Sequence, residues 1–210
     1  MMMGVRVVKA MVELRAAFKH RSKPRTIGHC RMCYDERDIQ QFLSLDPVRM
    51  GEQEFRPILW DGCRCFGCWE ELAYYIPWLL DICFNDWYVG GQDFLSMLVR
   101  ALEEETMCPE ERDAILAAMR AHLEEAMEQS EGDSSCYIDE TIACLGAFDG
   151  SLAPLFAHLG VSEHPQVRAN YCLFVAKQAL LQPKRKKMPP RNQKAFDALL
   201  EPSESLSVLF

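Results

Sequence analysis

The stretch Cys63-Arg-Cys65-Phe-Gly-Cys68-Trp69-Glu-Glu-Leu72-Ala-Tyr-Tyr75-Ile-Pro77-Trp-Leu-Leu80 decides how this chain is read. Its first six residues carry three cysteines, and the rest is apolar at helical spacing. Leu72, Tyr75, Ile76, Leu79, Leu80 and Cys83 fall on one face of a helix over 69–84. Pro77 kinks that helix, because proline offers no amide donor to the preceding turn. Upstream, Cys30-Arg-Met-Cys33 repeats the C-x-x-C spacing, with 31 residues between Cys33 and Cys65.

Structural zinc takes four ligands in a tetrahedron, and two C-x-x-C turns from separate segments supply them without strain. The expected ligands are Cys30, Cys33, Cys65 and Cys68, on loops loosened by Gly28, Gly62 and Gly67. Cys63 competes for a place in the second pair, and His29 is able to replace a thiolate. Four thiolates leave no open coordination position, so the site reads as structural rather than catalytic. The rival reading is a set of metal-free thiols, either packed as small hydrophobes or redox-active. Cys83, Cys108, Cys136, Cys144 and Cys172 stand singly among apolar residues and read as core or near-surface thiols.

The rest of the chain reads as helix. Residues 5–20 form an amphipathic segment with Val8, Met11, Val12, Ala16 and Phe18 apolar, stopped at Ser22-Lys-Pro24. Asp35 caps a helix through Leu45, and 52–60 is a short helix or an extended piece interrupted by Pro57. Residues 61–68 read as a Gly- and Cys-rich loop. After a turn over 85–91 come helices over 92–105 and from Cys108-Pro109 to Met127, the second opened by proline and acids in its first turn. Beyond the polar loop 130–135, helices are expected over 137–145, 151–159, 165–181 and 192–200, with a basic, proline-bounded loop over 183–191. No strand series is visible. The fold class is all-α, an irregular helical bundle or HEAT-like helical stack with an N-terminal Cys-rich, zinc-knuckle-like loop region. The division expected is 1–129, helical with Cys-rich loops, and 130–210, helical and packed as one unit with the first.

Charge is sorted along the 210 residues, whose net charge is −8. Residues 1–31 carry eight bases against Glu13, residues 32–176 carry 27 acids against eight bases, and residues 177–194 carry seven bases and no acid. Basic ends around an acidic middle are expected to attract one another, and the acidic middle disfavours a nucleic-acid footprint. Glu103–Glu105, Glu110, Glu111, Glu124, Glu125 and Glu128 read as a solvated helical face, with His122 solvated at its rim. No run approaches the roughly 18 apolar residues of a membrane span, and residues 1–20 lack the apolar core of a signal peptide. The expected location is cytoplasmic, where ten cysteines do not form a disulfide framework.

Four motifs, Ile27-Gly-His-Cys-Arg-Met-Cys33, Trp60-Asp-Gly62, Tyr75-Ile-Pro77-Trp-Leu-Leu and Cys108-Pro-Glu-Glu-Arg112, carry a resemblance. The chain resembles a group of uncharacterised bacterial helical proteins with an N-terminal cysteine loop and a Trp-Gly-Asp-like turn. It departs from that pattern at Met32, where the group has a middle cysteine, and at Cys63–Cys68, which looks like an insertion. The resemblance brings no activity with it.

No phosphate-binding glycine loop, G-x-S-x-G or H-E-x-x-H occurs. The sequence therefore points to a non-enzymatic cytosolic protein-interaction protein, an adaptor or an immunity-type protein, with a structural zinc site and a protein partner. A zinc-dependent nucleic-acid-binding protein is the alternative, through the zinc knuckle and the basic ends. A thiol-dependent enzyme is the third, although no spacing pairs a cysteine with His122, His158 or His164.

Overall fold

The computed structural model describes residues 4–85, 106–129 and 152–181, with the single positions Leu98, Ala101, Ile142 and Leu145. Helix accounts for 74% of the described part and no strand occurs in it, so the all-α expectation holds. The loops over 130–135 and 146–150, the basic segment 183–191, the helix 192–200, Trp87, Cys136, Cys144 and the side chain of Cys63 lie outside the described residues. Of the expected helices 92–105 and 137–145 only the four single positions are described, and these are helical and buried. The chain divides into two compact units, Met1–His122 and Leu123–Phe210.

The first unit opens with α1 (Val5–Ala17), which buries Val7, Ala10, Met11 and Leu14, followed by buried Phe18. The same 3.6-residue period turns Val8 and Val12 outward, where they are exposed, against the expectation that they belong to the apolar face. The helix also stops short of Ser22-Lys-Pro24. The Phe18 and Arg21 amides bond Leu14 and Phe18 carbonyls, and the His20 ring meets the Ala17 carbonyl at 2.9 Å, so tightened turns satisfy the helix end. Helix α2 (Glu36–Ser44) starts in a capping box: Asp35 accepts from the Arg37 and Asp38 amides, and Asp38 accepts from the Asp35 amide at 2.8 Å.

Residues 52–65 are helical rather than loop-like. α3 (Glu52–Arg56) runs into a π-helical segment (Pro57–Asp61) and then α4 (Gly62–Cys65), so the reading of 61–68 as a loop is corrected over 61–65 and holds for 66–68. Pro57 takes the αR conformation at the end of α3, and the wider turn that follows dispenses with the bond its missing amide cannot make. Then come α5 (Trp69–Leu72), a 3-10 turn (Ala73–Tyr75) and α6 (Ile76–Asn85). The 3-10 turn breaks the expected helix over 69–84 and ends two residues before Pro77, which lies in the first turn of α6. All six residues assigned to the inner face of this stretch are fully buried. Phe42, Phe55, Phe66 and Tyr75 form an edge-to-face aromatic cluster at centroid distances of 5.0 to 6.4 Å.

Helix α7 (Pro109–Gln129) begins where Cys108-Pro109 placed it. Glu110 is exposed as the solvated-face reading expects and Glu103–Glu105 lie outside the described residues, but three residues of α7 depart from that reading. Glu111 is fully buried beneath Arg21, and His122 is buried with its ring stacked on Phe84 at 4.3 Å. Burial drives the His122 pKa down to about 4. Glu125 is buried as well. Helix periodicity marked these positions as polar but could not show that α7 is covered on more than one side. Two expected charge attractions do form between the basic start and the acidic middle: Arg15 with Asp81 at 3.0 Å and Arg21 with Glu111 at 2.6 Å.

In the second unit, α8 (Ala153–Gly160) packs on α9 (Pro165–Leu181) through Phe156 with Phe174 and Tyr171. Pro165 opens α9 after a turn in which Ser162 Oγ accepts from the His164 amide. Buried Asn170 donates to the Met127 carbonyl at 2.7 Å. No described helix is long and apolar enough to cross a membrane.

Candidate metal centre

Two loops build the centre. The first leaves Ile27, which is buried, and runs Gly28-His29-Cys30-Arg31-Met32-Cys33. The second is the end of α4 with Phe66-Gly67-Cys68. They are tied backbone to backbone: the Cys30 amide donates to the Cys65 carbonyl at 2.9 Å, the Gly67 amide to Gly28 at 2.6 Å, and His29 and Phe66 form an isolated antiparallel bridge. Phe66 anchors the second loop, packing edge-to-face on Tyr34 at 5.1 Å and Phe42 at 5.0 Å.

Gly67 makes the second turn possible. Its φ of 76° is left-handed, and a Cβ there would stand 2.8 Å from the fully buried Leu72 side chain. Glu71 of α5 then stitches the loops together, accepting from the Gly28 amide at 3.0 Å and from the Cys68 amide at 3.1 Å. The sequence reading passed over Glu71. Its signal was present as Cys68-x-x-Glu71, a cap position followed three residues later by a carboxylate.

The sulfurs of Cys30, Cys33 and Cys65 lie within 4.8 Å of one another, those of Cys33 and Cys65 at 3.5 Å. The structure thus brings three of the four expected ligands together. Cys68 is not in that group; it caps α5 with its thiol exposed. His29 turns Nδ1 toward the Ile27 carbonyl at 3.2 Å and is not in the group either. Cys83 is buried, and Cys108 and Cys172 are half-buried thiols, as expected of solitary cysteines.

Cys30 and Cys33 are electrostatically unequal. Amide donors from Met32, then the thiol and amide of Cys33, hold the Cys30 pKa below the usual thiol value. Sharing hydrogen bonds with Cys65 and Cys30 pushes Cys33 up to about 11. Partial desolvation, with the Glu70 and Glu71 carboxylates nearby, pushes Cys68 up to about 11 as well. Three thiols so close cannot all ionise alone, whereas a soft divalent cation among them supplies the charge that lets them do so. Beside the trio, the Tyr34 hydroxyl donates to Asp61, and burial followed by that carboxylate raises the phenol's pKa.

His20, Cys108 and Glu111 also bring ligand atoms within 4.8 Å. Here Arg21 already sits on Glu111 through Nε at 2.6 Å and Nη2 at 2.9 Å, and the Cys108 amide donates to it at 3.1 Å. The guanidinium thus takes both oxygens of Glu111. The group is an ion-pair network that locks the start of α7 to the segment after α1.

Fold and cluster together define the class, an all-α chain whose N-terminal part carries a candidate three-thiol metal centre. No protein-family model, curated protein or solved structure matches the chain.

Proposed function

We propose that Cys30, Cys33 and Cys65 hold a structural zinc ion with one further ligand from this chain, and that the protein is a non-enzymatic cytosolic interaction protein of adaptor or immunity type. The observation that supports the metal is the convergence of three sulfurs from two loops that are separately anchored in the core and paired through their backbones. Soft thiolates select zinc over calcium or magnesium. Cys68, three residues after Cys65, is the first candidate for the fourth ligand, with Cys63 and His29 as its rivals. Zinc thiolates need reduced cysteines, which suits a cytosolic setting. The excess of acids over bases between residues 32 and 176 suits a basic protein partner.

The test is metal content. Protein purified without added zinc is expected to show about one zinc per chain by native mass spectrometry, and to melt lower after chelation. A metal-free chain whose melting temperature ignores both zinc and chelator removes the proposal. Among Cys68→Ser, Cys63→Ser and His29→Gln, the variant that loses most zinc affinity identifies the fourth ligand. The exposed Arg25, Arg31 and Arg64 around the cysteine loops favour nucleic-acid binding as the second reading. It requires binding of an oligonucleotide that weakens steeply with salt, and the lack of any shift at low salt excludes it.

A further inference from the structure

We infer that the cleft beside the cysteine loops is a recognition pocket for an arginine side chain presented by a basic partner segment. The inference rests on the interaction reading above and names the chemistry of the partner. The cleft holds about 310 Å3 and opens to solvent between α2 and α3. That is near the lower end of the roughly 300–1,000 Å3 range of ligand pockets and admits one long side chain.

Its floor is aromatic and its rim is acidic. Tyr34, Phe42 and Phe66 line the floor, the rings of Tyr34 and Phe42 each set edge-to-face against Phe66. Tyr34 directly follows Cys33 and Phe66 directly follows Cys65, so the loops that gather the three sulfurs also fix this wall. Asp38 and Glu54 supply the charge, with the exposed amides of Gln41 and Gln53 beside them. None of the described lining residues is basic.

The two carboxylates are held in place. Asp38 and Glu54 are the third residues of α2 and α3, and each spends one oxygen on its cap: Asp38 Oδ2 accepts from the Asp35 amide, and Glu54 Oε2 from the Gly51 amide, both at 2.8 Å. The other oxygen of each makes no hydrogen bond among the described residues. A full carboxylate charge exceeds the roughly half positive charge of a helix terminus, so the rim stays negative. Arginine matches this set better than lysine does. Its planar guanidinium lies on aromatic surface while five fixed donors reach carboxylate and amide oxygens around it.

The experiment titrates the full-length protein with the peptide acetyl-Gly-Arg-Gly-amide and its citrulline isostere, which keeps the shape of arginine and removes the charge. Amide resonances are followed by NMR. The arginine peptide is expected to shift residues 38–45, 53–57 and 66 saturably, and the citrulline peptide to bind at least about ten-fold more weakly, a difference of about 1.4 kcal/mol. Gln41→Arg and Gln53→Arg each add a cation at an exposed rim position, leave the buried rings untouched, and are expected to weaken arginine binding by a similar factor. Shifts confined to other residues, equal binding of citrulline, or no saturable shift overturns the pocket. Zinc content measured on the same samples separates this result from the metal reading: a zinc-loaded chain that ignores the peptide overturns the pocket alone, and a metal-free chain that binds it overturns the clamp alone.

Discussion

The sulfurs of Cys33 and Cys65 stand 3.5 Å apart although 32 positions separate them in the chain. The loops reach that distance because Ile27 and Phe66 are set in the core and Glu71 bonds both backbones. Cys30 and Cys33 therefore differ in reactivity when no metal is present. Cys30, whose pKa is lowered by the Met32 amide and by the Cys33 thiol and amide, holds a larger thiolate fraction near pH 8 than Cys33, which is pushed up to about 11 and holds little despite its exposure. Pulsed iodoacetamide labelling of chelated protein, read by peptide mass spectrometry, is expected to modify Cys30 before Cys33. Zinc is expected to protect both. Equal labelling of the two, or protection of neither, contradicts the arrangement.

Gly67 is the position where one added methyl group is expected to open the centre. An alanine must hold φ near 76° and place its Cβ 2.8 Å from Leu72, which is fully buried and has nowhere to go. Left-handed backbone costs about 1–2 kcal/mol for a non-glycine residue, and overpacking about 1–3 more. Gly67→Ala is therefore expected to lose on the order of 3 kcal/mol in denaturant titration and to hold zinc more weakly, because the Gly67 amide pairs the second loop with Gly28. Gly51→Ala, at an exposed helix cap where a Cβ would stand 3.4 Å from the Glu54 carboxylate, serves as the control and is expected to cost under about 1 kcal/mol.

Much of this was legible in residue order, and what was not has a physical cause. The face Leu72, Tyr75, Ile76, Leu79, Leu80 and Cys83 follows from period alone, and every member is buried. Asp35 and Pro165 mark helix starts because capping and proline geometry are local. The cysteine spacing brought Cys30, Cys33 and Cys65 to attention, and the fold gathers those three. It could not rank Cys68 against its neighbours, because where that thiol stands depends on the left-handed turn at Gly67 and on the bond from the Cys68 amide to Glu71. His122 and Glu111 were misread for a related reason. A polar residue on a helix says nothing of what packs above it, and the coverings here, Phe84 and Arg21, come from distant parts of the chain.

Arg21 and Glu111 allow that long-range packing to be measured. Burial alone would raise the Glu111 pKa, yet the guanidinium and the Cys108 amide hold it below the usual carboxylate range. Removing Arg21 leaves the fully buried Glu111 carboxylate with only the Cys108 amide and the His20 ring, 3.3 Å away, in place of a bidentate guanidinium. Arg21→Met is thus expected to destabilise by about 3–5 kcal/mol. The double variant Arg21→Met with Glu111→Leu is expected to regain a good part of that loss, because an apolar pair does not pay for a buried charge. Thermal and denaturant unfolding of the four proteins in the cycle gives the coupling; a double variant that is simply additive refutes the buried-pair account.

His122 makes a prediction about pH whose sign follows from burial. Its pKa is about 4 in the folded chain against 6.5 for an ordinary histidine, so the folded protein binds this proton less readily than the unfolded one. The stability it contributes is complete above pH 6.5 and is lost as pH falls from there through about 4. Between pH 6.5 and 5 the loss is on the order of 1.5 kcal/mol, in a window above the range in which Glu111 protonates. His122→Phe keeps an aromatic ring against Phe84 and removes the titration. Wild type is therefore expected to lose stability across this window more steeply than the variant, with urea unfolding at each pH as the measurement and the difference between the two proteins cancelling proton-linked loss of metal. Parallel pH profiles would mean that His122 is reached by water in the folded state, and the stacking on Phe84 would then have to be transient.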